Sequence, residues 1–86
     1  MYQPKFITSS QNVGGPSGGV VRSVVVSGGA SNGSVTLYQN GQGGQVLFAM
    51  AVLANDTRVA TGLHIVYSGQ LYASIGPAGT SATIVY

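Results

Sequence analysis

The stretch Ser34-Val35-Thr36-Leu37-Tyr38-Gln39-Asn40-Gly41-Gln42-Gly43-Gly44 decides the fold class. Successive side chains of an extended strand point to opposite sides, so Val35 and Leu37 share one face while Thr36 and Tyr38 share the other. Asn40-Gly41 ends the alternation, because both residues tolerate the positive φ that a tight turn between antiparallel strands demands. A half-buried strand running into such a turn predicts an antiparallel β-fold.

The segment after the turn, Gln45 to Leu53, is the ambiguous one. Leu, Ala and Met are good helix formers, and apolar residues occupy both parities, so periodicity does not choose between helix and strand. Nine residues between turns in a β-rich chain read as a strand, and apolar residues on both parities predict that both its faces are covered. Further on, Thr57–Ala60, Leu63–Tyr67, Leu71–Ile75 and Ser81–Tyr86 are short β-rich runs, separated by the turn clusters Thr61-Gly62, Ser68-Gly69-Gln70 and Gly76-Pro77-Ala78-Gly79. Upstream, Val20 to Val26 is rich in β-branched residues and Ser27 to Gly33 is a loop. The expectation is an all-β domain over residues 20–86: an antiparallel β-sandwich of about seven short strands, with a jelly roll among its possible forms.

Residues 1–19 read differently. Pro4, Pro16 and the glycine pairs of Gly14-Gly15-Pro16-Ser17-Gly18-Gly19 favour an irregular N-terminal arm and a pliable connection. Tyr2, Phe6 and Ile7 are the apolar anchors of that arm. They dock it on a neighbouring subunit, or they fold it back as a strand on its own domain.

Composition narrows the function. Charged residues make up 5% of the chain against about 25% in ordinary domains, and the net charge is +2. Copies of such a chain repel one another weakly, so close packing is electrostatically permitted. Lys5, Arg22 and Arg58 are too scattered for the basic stripe that a nucleic-acid partner requires. The longest apolar run, Val46–Ala54, is about half the length of a membrane helix, and the opening residues lack the apolar core of a leader peptide. Without cysteine there is neither a disulfide nor a thiolate metal site.

Catalytic groups are equally sparse. A single histidine (His64) and a single acid (Asp56) make a nominal Ser-His-Asp set that almost any chain could match, and glycosidase chemistry needs two carboxylates. The glycine-rich run lacks the following lysine of a phosphate cradle. His64, in the strand 63–67, would need copies from other chains to hold a metal, and Asp56 reads as a turn residue. Asn32-Gly33-Ser34 and Asn55-Asp56-Thr57 fit the glycosylation pattern but read as turns. The expectation is a chain without catalytic, cofactor or metal residues. Its candidate contacts are Tyr2, Phe6, Ile7, Tyr38, Tyr72 and Tyr86, since tyrosine joins a large contact area to a polar handle. A strip of exposed tyrosines would alternatively suit a carbohydrate-binding module. Uncharged β-edges would suit a self-polymerising matrix protein.

Taken in order, Val13-Gly14 through Gly19-Val20, Val24-Val25-Val26, Gly33-Ser34-Val35-Thr36-Leu37-Tyr38, Val46-Leu47, Thr61-Gly62-Leu63-His64-Ile65-Val66 and Ala82-Thr83-Ile84-Val85-Tyr86 resemble small virion proteins of tailed bacteriophages. Residues 1–12 lie outside the match and 45–60 fit it loosely. The resemblance implies a structural role on the particle, as a capsid decoration or cement protein or a head or tail accessory. It also implies other virion proteins as partners, the major capsid protein first among them, and homo-oligomers assembled in the host cytoplasm.

Overall fold

The computed structural model describes residues 4–13, 18–41 and 43–86, and every regular element among them is a strand. Tyr2 and the glycine-rich residues 14–17 lie outside the described residues. The strands are β1 (Pro4–Ile7), β2 (Gln11–Asn12), β3 (Gly19–Val21), β4 (Ser23–Ser27), β5 (Gly33–Gln39), β6 (Gln45–Val52), β7 (Thr57–Ala60), β8 (Ile65–Tyr67), β9 (Leu71–Gly76) and β10 (Ser81–Val85).

The chain folds as one long antiparallel ribbon about the turn at residues 40–44. Strand β5 pairs with β6, β4 with β7, β3 with β8, β2 with β9 and β1 with β10. Asn40 at φ 65° and Gly41 at φ 92° make the ribbon's tip, in keeping with the turn read from the sequence. The ribbon then rolls up, so that β10 also pairs with β4 and β9 with β5. Two four-stranded sheets result, ordered β1-β10-β4-β7 and β2-β9-β5-β6, with β3-β8 as a separate pair. This nested order is that of a jelly roll.

One buried cluster takes side chains from both sheets. Ile7, Val24, Val26, Ala82 and Ile84 come from the first, Val35, Leu37, Val52, Leu71 and Ala73 from the second, and Val21 and Tyr67 from the small pair. The alternation that marked β5 thus recurs in β4 and β10, whose second and fourth residues are buried.

Four expectations are corrected. Among the described residues the strands number ten against about seven, and residues 4–13 take the second of their two readings, folded back on their own domain: β1 lies on β10, β2 on β9, and Val13 N–H donates to Leu71 O at 2.8 Å. Between β1 and β2, Ser10 Oγ accepts from Ile75 N–H at 3.0 Å and donates to Ile75 O at 3.2 Å. Residues 4–7 and 11–12 are therefore sheet, and Ile7 serves the core. The run 20–26 divides at Arg22, where N–H donates to Val85 O while C=O accepts from Leu63 N–H, so the chain changes partner there. His64 precedes β8 and is exposed. Finally, β6 ends its sheet, and Ala49 and Ala51 on its outward side are exposed, so only one of its faces is covered.

Candidate functional site

The four described candidate contacts other than Ile7 divide between the two broad faces and one strand end. On the outside of the first sheet, the registers align Phe6, Thr83, Val25 and Val59 in one row across β1, β10, β4 and β7. Phe6 at 63% and Val59 at 58% are the most exposed members of this row. On the outside of the second sheet a corresponding row runs Asn12, Tyr72, Tyr38, Val46. The Tyr38 and Tyr72 rings meet across the strands with centroids 6.3 Å apart and planes tilted by 48°. Rings leaning on one another in this way form a tilted aromatic pair.

Tyr86 follows β10 and is half-buried against the core near Tyr67. Tyr67 itself is buried, and its phenol is pushed above the ordinary value by that burial and secondly by Tyr86. Ile7, at 1% exposure, is a core residue and leaves the list of contacts.

Where β6 and β7 leave the two sheets, a cleft of about 520 Å³ opens between them, lined by Asn32, Val52, Leu53, Asp56, Arg58 and Val59 among others. Its polar groups are largely spent on the local fold. Asn32 Oδ1 accepts from Ala54 N–H at 2.9 Å, and Asp56 Oδ1 accepts from Thr57 N–H at 2.8 Å. The Thr57 and Ser27 hydroxyls bond each other at 3.0 Å. Among the described residues no group of three His, Cys, Asp or Glu side chains converges. No described helix is long and apolar enough to cross a membrane. What the surface offers is contact: Phe6, Val46, Leu53, Val59 and Val66 are all more than half exposed.

Sequence reading missed Val25 and Val59, although parity could have found Val25. In a strand whose Val24 and Val26 face the core, Val25 must face outward. The openness of β6 carried no comparable signal, because edge position depends on which strand lies alongside.

No family model, curated protein or solved structure matches this chain.

Proposed function

We propose that this chain is a non-enzymatic structural subunit of a bacteriophage virion, a capsid decoration or cement protein or a head or tail accessory. It acts by covering area on the major capsid protein or another virion protein, and on copies of itself. The observation that carries the reading is the chemistry of its exterior. Five large apolar side chains are more than half exposed on a domain with only four charged residues, and the Phe6–Val59 row lies across one broad face. A row with Phe6 and Val59 at its two ends and Val25 between them suits a contact face. The ordering of motifs that resembles small virion proteins, and a jelly-roll order of the kind found in capsid domains, support it. The mechanics are those of a clamp: many weak contacts across a junction must break together before the shell opens.

Cosedimentation with capsids of the phage whose genome carries the gene tests the reading. Saturable binding at a fixed number of copies per capsid is the expected result. A chain left wholly in the supernatant at every concentration refutes it.

A further inference from the structure

Strand β6 carries apolar residues on both parities, yet the fold covers only one of its faces and leaves its outer edge without a neighbouring strand. The two sides of the sandwich differ in how they treat such edges. On the β1–β2 side the strands are four and two residues long, and β1 carries Pro4 and Lys5. Short strands, proline and lysine are the usual means of stopping a stray strand from pairing. On the other side, β7 holds Arg58 at the inward-facing register position opposite Val26, another such guard. Strand β6 has eight residues, no charge and no proline, and its only such device is the bulge at Leu47.

Its sequence is also symmetric in kind. Leu47-Phe48-Ala49-Met50-Ala51-Val52-Leu53 reads nearly the same in either direction about Met50. The bulge of the β5–β6 ladder lies at its N-terminal end, leaving Phe48–Val52 in regular register. We propose that β6 is the homodimer interface of this protein, pairing antiparallel with β6 of a second copy about a two-fold axis at Met50. This rests on the homo-oligomer in the proposed function and goes beyond it by naming strand, register and symmetry.

In that register Phe48 meets Val52 of the second copy and Met50 meets Met50. On the outward side Ala49 meets Ala51, small against small. Such a contact is isologous, and a self-complementary segment is what an isologous contact needs. No like charges are opposed, because the segment has no charge. The sheet would continue through the dimer as β2-β9-β5-β6-β6-β5-β9-β2.

The area sets the strength. In this register only Phe48–Val52 of each β6 overlap, about 17 Å of paired strand. So short a seam falls well below the roughly 800 Å² per partner of a stable interface and makes the dimer a weak, concentration-dependent one. Neighbouring copies on a particle would pair more completely, because their effective concentration is higher.

Sedimentation equilibrium of the full chain from about 5 to 500 µM covers weak association. The wild type is expected to show a monomer–dimer equilibrium. The Ala49→Lys/Ala51→Lys double variant, with like charges opposed across the axis, should weaken it at least about tenfold (about 1.4 kcal/mol). Thr8→Lys, exposed between β1 and β2 on the opposite side of the domain, should leave it unchanged. Both alanines are exposed and pair with Thr36 and Ser34 on the solvent side, so the monomer tolerates lysine there. The register is read independently, because the chain has no cysteine of its own. Under air oxidation, a mixture of Ala49→Cys and Ala51→Cys proteins should cross-link efficiently, while either alone should not, since only unlike positions lie directly opposite.

A wild type monomeric at about 500 µM, a dimer that survives the double lysine variant, or cross-linking equal in the single proteins and the mixture overturns the inference. A monomer that still binds capsids overturns the strand pairing and leaves the virion reading standing. A dimer of this register that binds no capsid does the reverse.

Discussion

Phe6 and Ile7 are neighbours in sequence and opposites in structure, which makes the pair a sharp test of the rolled ribbon. Ile7 lies opposite Ala82 in the β1–β10 ladder, 1% exposed and part of the core cluster, whereas Phe6 lies opposite Thr83 and is 63% exposed. Truncating a buried isoleucine to alanine removes three carbons from the interior and leaves a cavity, at about 2–5 kcal/mol. A chain of 86 residues has a total stability of about 4–13 kcal/mol at ordinary values per residue. Ile7→Ala should therefore remove a large fraction of it and lower Tm by more than about 10 °C. Phe6→Ala should cost under about 1 kcal/mol, because most of the ring is already in water. Urea melts followed by far-UV circular dichroism measure both, with the slope m expected to hold between variants. Under the proposed function the effects on assembly are reversed: Phe6→Ala weakens capsid binding, and Ile7→Ala leaves the binding of the still-folded fraction intact. A loss below about 0.5 kcal/mol for Ile7→Ala, or equal losses for the two, would show that β1 does not pack as described.

Deleting residues 1–12 removes β1, β2 and Ile7 together, so it should yield an unfolded or aggregated chain and not a soluble domain that merely fails to dock; circular dichroism and solubility decide. Gly28→Ala places a methyl group inside the shell of the Leu53 carbonyl oxygen, at the point where Gly28 N–H donates to Asp56 O at 2.8 Å. Backbone must shift there, and a drop in Tm of several degrees is expected by calorimetry. The Tyr67 phenol is raised above 10.0 by burial first and the adjoining Tyr86 second. In the alkaline range the unfolded chain releases that proton before the native one does, so stability falls as pH climbs from about 10 through the higher native value. Tyr67→Phe should flatten that part of the urea-midpoint profile, and a profile identical to wild type would exclude the assignment.

Local patterns disclosed what local physics controls. The Val35/Leu37 alternation became the buried face of β5, and Asn40-Gly41 became the tip of the ribbon, because side-chain parity and left-handed backbone are properties of a few consecutive residues. Residues 45–52 form a strand, as their length and setting suggested. The candidate contacts were less legible. Phe6, Tyr38 and Tyr72 lie on outer faces, but Ile7, one residue along, is interior, and only its pairing with Ala82 says so.

From its residues alone this chain was determined to be β-rich, turn-punctuated and nearly free of charge, since each of those traits is written in composition and in short-range periodicity. Tertiary structure alone decided that β1 and β2 belong to the sheets, that Val25 and Val59 join Phe6 in one outer row, and that β6 stands at an edge. These are facts about which strands lie side by side. Partners such as β1 and β10 stand at opposite ends of the chain, and the free energy of pairing them depends on the whole rolled ribbon, not on any stretch of sequence taken by itself.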